Sequence, residues 1–245
     1  MSANLFEQFS DYWLDAQQRS ALFLDVLRQR GDQFIEHSSE GKPPVLVFEH
    51  EIVLDGRTLP QPVNYSLLRI IPSAAHPADP TAKPFVIIDP RAGHGPGVAG
   101  SKLCSEIGVV LAAGHPCYFV TFGPEPCEGQ TIEAVVAAEK IFLEQIARLH
   151  DPATVGKPFI IGNCQGGWAA ALLASVAPDL TGPLLLPGAP LAYWSGRAGQ
   201  NPMRYTGGML GGSWPSSFAS DLQQGIFDGA NLVENFENLD PANTF

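Results

Sequence analysis

The sequence predicts an α/β protein with a mostly parallel sheet flanked by helices. Two observations carry that reading. Between residues 85 and 186, four short apolar runs alternate with three helical stretches, the pattern of βαβ units whose sheet is buried on both faces. The third run, FIIG, leads through Asn163, Cys164 and Gln165 into an alanine-rich helix-forming stretch. That is the order of a strand, a sharp turn and a helix, with a thiol at the turn.

Taken in order, residues 4–36 form a helix, since Leu5, Phe9, Tyr12, Trp13, Phe23, Val26 and Leu27 recur at three- and four-residue spacing. Gly31 is expected to stop or kink it. The helix reads as an amphipathic segment packed on the main domain. From Val45 the period changes to two: VLVFEHEIVL, an Asp55-Gly56 turn and a run over 65–71 predict a hairpin. Three prolines and no periodicity make 72–83 a surface loop. Strands follow at 85–88, 117–122, 159–161 and 183–186, with helices at 101–113, 131–150 and 166–177. Beyond Pro190 the chain is rich in glycine and aromatics, and only 229–239 looks helical. The expected organisation is a helical segment over 1–44, an α/β core over 45–190, and the start of a cap or lid over 191–245.

Composition narrows the function classes. A net charge of −11 argues against nucleic acid and anionic membranes, because binding phosphates needs clustered Lys and Arg. The amino terminus has neither a basic n-region nor an apolar h-region, and no run is long enough to span a bilayer. Cys104, Cys117, Cys127 and Cys164 form no C-x-x-C pair and have no metal-ligand spacing, so neither a metal nor a disulfide is expected. The expected location is the cytoplasm.

Gly162, Cys164 and Gly166 give G-x-C-x-G, the spacing of a nucleophile elbow with cysteine in place of serine. The turn is too tight for side chains two residues either side of the nucleophile, and Gly167 lets the helix approach the sheet. A helix N-terminus stabilises a neighbouring anion by up to ~2 kcal/mol, little more than one pKa unit. The thiol therefore also needs a general base.

The loop RAGHGPGVAG has two readings. Gly95, Gly97 and Gly100 fit the G-x-G-x-x-G dinucleotide fingerprint, with Glu125 after the next strand as a ribose-binding acid. The loop also fits an oxyanion loop, whose donor would be Gly95, Gly97 or His94, joined by the N–H of Gln165. Pro96 cannot donate. The oxyanion reading is preferred, because an elbow has no role in a dinucleotide domain. Arg91, Trp168 and Trp194 are candidate substrate-binding residues, and Lys102, Arg197 and Arg204 could meet an anionic carrier.

PRAGHGPG, GHPCYFV, IGNCQGGWA, GAPLAYW and MRYTGG resemble a bacterial family related to polyhydroxyalkanoate synthases and often labelled 3-hydroxyalkanoate synthetase. The resemblance implies an α/β-hydrolase-like fold. It implies an acyltransferase whose cysteine, here Cys164, accepts a hydroxyacyl group from a coenzyme A thioester, with no bound cofactor, helped by a later aspartate and histidine. The expected partner is a small acyl thioester or ester, with homo-oligomerisation left open. The sequence departs from that pattern. His37, His50, His76, His94, His115 and His150 all precede Cys164, and Asp179, Asp221, Asp228 and Asp240 follow no recognisable later strand. The chain is thus expected to be an N-terminal fragment, incomplete at the C-terminal end of the fold and weak or inactive alone. Three other readings stay open: a dienelactone-hydrolase-like or other cysteine esterase, an NAD-dependent oxidoreductase using the glycine loop, and a non-catalytic subunit.

Overall fold

The computed structural model describes residues 4–41, 45–90, 99–192, 214–226 and 229. The chain divides into two compact units, one of residues 1–43 with 234–245 and one of residues 44–233.

In the first unit, α1 runs over Leu5–Ser39 as one helix. Asn4 caps it: its side chain accepts from the Phe6 N–H, and Glu7 returns a bond to the Asn4 N–H, the reciprocal pairing of a capping box. Gly31 neither stops nor visibly caps the helix, contrary to the sequence expectation. A lone glycine costs only ~1 kcal/mol in a helix interior, and ion pairs from Arg28 to Asp25 and Asp32 brace that turn.

The second unit is built on a six-stranded sheet. Its strands are β1 (His50–Asp55), β2 (Tyr65–Ile70), β3 (Phe85–Ile88), β4 (Cys117–Phe122), β5 (Phe159–Gly162) and β6 (Leu184–Leu185), in the order β1-β2-β4-β3-β5-β6. β1 and β2 form the expected antiparallel hairpin, and β2 is antiparallel to β4. The β4, β3, β5 and β6 strands are mutually parallel neighbours. The helices are α2 (Glu106–Ala112), α3 (Ile132–Leu149), the short α4 (Pro152–Val155), α5 (Gln165–Val176) and α6 (Trp214–Leu222). The sheet is therefore mixed, flanked by helices, and of the α/β-hydrolase class.

Two cores sandwich the sheet. Val86, Ile88, Tyr118, Val120 and Ile160 face α3 and α5, meeting Phe142, Leu143, Ala169 and Leu173. Ile87, Phe119 and Ile161 face the other way, onto Ile107, Val110 and Leu111 of α2. Alternate strand residues thus serve opposite cores, as the pleat requires.

Three expectations need correcting. The first strand starts at His50 rather than Val45, because residues 45–49 only lie alongside, with the Val47 N–H donating to the Gly100 carbonyl. The helix expected from residue 101 begins at Glu106, where Ser105 accepts from the Gly108 N–H as its N-cap. A helix, α6, lies in the stretch where periodicity had dissolved. The helix expected over 229–239 falls outside the described residues, apart from Gly229.

Candidate active site at the end of β5

The turn between β5 and α5 is two residues long, Asn163 and Cys164. Cys164 has φ 50° and ψ −119°, and it shares a positive φ with only one other non-glycine residue, Gln224, among the described residues. A side chain in that region costs on the order of 1–3 kcal/mol. The surroundings impose it. The Cys164 N–H donates to the Pro187 carbonyl at 3.0 Å, and the Cys164 carbonyl accepts from Gly167 N–H at 3.1 Å and Trp168 N–H at 3.4 Å, opening α5. The thiol is exposed. Gln165 is the first residue of α5, so its N–H has no intrahelical acceptor and is available beside the sulfur.

Steric contacts explain the three glycines. A Cβ on Gly162 would lie 2.7 Å from the Gly167 Cα. One on Gly166 would meet the Ile88 carbonyl and lie 3.1 Å from that of Asp89, and one on Gly167 would run into Ala189. The elbow is thus wedged between the end of β3 and the segment after β6. Ile88 is in register with Gly162, so the loop leaving β3 starts beside the elbow. Of that loop, Arg91, His94, Gly95 and Gly97 lie outside the described residues, as do Trp194, Arg197 and Arg204. Gly100 is buried against Leu46 and Ile107. Trp168 is half-buried and packs against the α3–α5 core. Lys102 is exposed.

Three polar residues near the elbow were not singled out from the sequence. Asn163 donates from Nδ2 to Glu106 Oε1 at 3.2 Å. The other oxygen of Glu106, Oε2, is buried without a hydrogen-bond partner among the described residues. Asp89, directly after β3, is 2% exposed, and its N–H donates to the Val120 carbonyl. The pairing of β3 with β5 brings Asp89 and Asn163 to one end of the sheet, and Glu106 reaches Asn163 from α2.

The described histidines of this unit lie elsewhere. His50 opens β1 opposite Ile70, His76 lies between β2 and β3, and His115 lies two residues before β4, with Nδ1 2.9 Å from the Lys83 carbonyl. His150 caps α3, and its Nε2 is 2.8 Å from the Tyr118 hydroxyl. All four sit at the edge where the parallel strands begin. The four residues of β5 alone span roughly 13 Å at ~3.3 Å each, far beyond the ~3 Å reach a general base needs. Asp179 lies at the same far edge, since the nearby Gly182 N–H donates to the Pro158 carbonyl just before β5. Asp221 is exposed on α6, and Asp228 and Asp240 lie outside the described residues. The structure thus brings to Cys164 an amide donor, Asn163, Glu106 and the end of β3, but none of the described core histidines.

Among the other thiols, burial pushes Cys117 far above its ordinary range, while Cys104 is exposed and Cys127 half-buried. No group of three or more metal-ligating side chains occurs among the described residues. No described helix is long and apolar enough to cross a membrane.

An "Uncharacterized protein in ackA 5'region" of Rhizobium meliloti is 59% identical over 233 residues, which is 95% of this chain and 32% of that protein. The chain therefore spans about a third of the length of that relative. Among solved structures, the chain is similar to the 2-hydroxy-6-oxo-6-phenylhexa-2,4-dienoate hydrolase of a Rhodococcus strain, at 21% identity and a TM-score of 0.35, over 69% of this chain and 58% of that one. It is also similar to a carboxylesterase of Nitrososphaera gargenis, at 17% identity and a TM-score of 0.40, over 66% and 51% of the two chains. It is the strand order and the elbow, not these distant likenesses, that describe the fold. A family model described as "Protein of unknown function (DUF3141)" matches residues 15–245, and the chain belongs to that family.

Proposed function

We propose that this chain carries the nucleophile half of a cysteine-dependent acyl-transfer enzyme of the α/β-hydrolase kind. The observation that supports it most is the strained, exposed Cys164 at the β5–α5 turn. A positive φ at a non-glycine residue costs stability and recurs at sites where a side chain must be held out for chemistry. In the proposed reaction the Cys164 thiolate adds to the acyl carbonyl of a thioester or activated ester. The developing oxyanion accepts from the Gln165 N–H and a donor of the 91–98 loop. Collapse expels the leaving thiolate or alkoxide, which takes up a proton, and leaves an S-acyl enzyme.

The finer reading rests on the sequence resemblance: the acyl donor is a hydroxyacyl coenzyme A thioester and the acceptor a second hydroxyacyl group, as in polyhydroxyalkanoate synthases, inside the cytoplasm. If water is the acceptor, the same elbow makes an esterase or thioesterase. In either case the reaction also needs an acid and a base that none of the described core histidines supplies, since loss of proton transfer costs on the order of 10²–10⁴ in rate. The test is rapid mixing with p-nitrophenyl butyrate. One equivalent of p-nitrophenol per chain, followed by slow or no turnover, is expected, with the burst absent from Cys164→Ala. A burst that survives in Cys164→Ala would sink the proposal.

A further inference from the structure

Glu106 raises a question that the proposed reaction does not answer. It stands at the first position of α2, where an acid exposed to solvent is stabilised by the helix dipole. Instead, its Oε2 is buried with no hydrogen-bond partner among the described residues, a placement that ordinarily costs more than the dipole returns. Its other oxygen has one partner, the amide of Asn163, the residue before the strained Cys164. The two residues are 57 positions apart, so the contact is a tertiary one between α2 and the turn.

The neighbouring bonds define what this contact joins. The Ile107 N–H donates to the Ala99 carbonyl at 3.1 Å, so the first turn of α2 is tied to the end of the glycine-rich loop. Ile107 also fills the space above Gly100. Asn163, for its part, uses its carbonyl to accept from the Gly166 N–H at 2.8 Å, closing the elbow itself. Its backbone thus holds the turn and its side chain holds Glu106.

We infer that Glu106 is a positioning residue for the nucleophile: through Asn163 its carboxylate locks the Cys164 turn to α2, whose first turn is tied to Ala99 at the end of the glycine-rich loop. This rests on the reading of Cys164 as an acyl-accepting nucleophile. The cost of the buried oxygen is borne so that two elements remote in sequence keep a fixed spacing across the reacting carbonyl. Misplacement by an ångström is enough to lose a large part of the rate of a positioned reaction.

The variants separate positioning from plain structural support. Glu106→Met keeps the length of the side chain and removes both oxygens. It is expected to slow the p-nitrophenyl butyrate burst about tenfold while leaving the thermal midpoint unchanged or higher, because a buried unpaired oxygen has gone. A merely structural role would lower both together. Asn163→Asp, which sets two carboxylates against each other, is expected to slow the burst at least as much. The double variant Glu106→Gln with Asn163→Asp restores one amide and one carboxylate in exchanged places, and is expected to recover most of the rate. A normal burst in Glu106→Met, a parallel fall in rate and thermal midpoint, or no recovery in the double variant would overturn this inference while leaving Cys164 as nucleophile. Absence of a burst from the unaltered chain would overturn the nucleophile reading and this one with it.

Discussion

Cys164 concentrates the strain and, in the proposed function, the chemistry at one residue. Its φ of 50° places a Cβ where only glycine is comfortable, and the bonds to Pro187 and from Gly167 keep it there. A direct consequence can be measured. Cys164→Gly removes the steric conflict and Cys164→Ala retains it, while neither keeps a thiol. The glycine variant is expected to be more stable than the alanine variant by about 1 kcal/mol in urea unfolding, the low end of the cost of such a conformation, partly offset by the entropy of glycine in the unfolded chain. Equal stability, or a more stable alanine variant, would mean that the turn is relaxed. G-x-C-x-G was legible in the sequence because sterics demand glycine at fixed offsets from the nucleophile. Glu106, Asn163 and Asp89 were not legible, since no offset rule links them and only the packing of α2 and the pairing of β3 with β5 make them neighbours.

At the level of elements, sequence and structure agree where one physical force dominates. β3 and β4 match their expected limits because both are largely apolar runs buried on both faces, each immediately preceded by a proline, Pro84 and Pro116. The limits of α3 follow from Thr131, whose hydroxyl accepts from the Ala134 N–H as the N-cap. Prediction failed where forces compete: residues 45–49 alternate like a strand but sit against Gly100, and α6 forms within a stretch that glycine and aromatics made unreadable. The glycine loop remains the element with two chemical readings. If it is an oxyanion loop, neither NAD nor NADP is expected to raise the thermal midpoint. A ligand at a hundred times its Kd would add ~2.7 kcal/mol, so a real site would be plain to see. Saturable stabilisation by either nucleotide, lost in Gly97→Val, would favour the oxidoreductase reading.

Over the whole molecule, the sheet separates its polar chemistry into two edges. The elbow, Asp89 and Glu106 lie where the parallel strands end, and His50, His76, His115 and His150 lie where they begin. The far edge bears on stability. Burial holds the His150 imidazole below its ordinary value, helped by the charge of Arg69 and opposed by a hydrogen bond with the Pro80 backbone. The neutral ring accepts from the Tyr118 hydroxyl. The folded chain therefore resists a proton that the unfolded chain takes up near the ordinary histidine value of ~6.5. The contribution of His150 is complete above that pH and is lost as pH falls through it toward the lower folded value. The urea midpoint is expected to fall between pH 7.5 and 5.5, and to fall less in His150→Gln. A midpoint that is flat over that range, or equally pH-dependent in the variant, would remove this role.

The proposed chemistry rests on one side chain at one edge of the sheet, and the most direct measurement is where an acyl group lands. After brief exposure to p-nitrophenyl butyrate, the intact chain should gain the mass of one butyryl group. Peptide mapping should place it on Cys164, with Cys104 unmodified although it is also exposed. Butyrylation spread over Cys104 and Cys127, or confined to either, would contradict the assignment of the β5–α5 turn as the reactive centre.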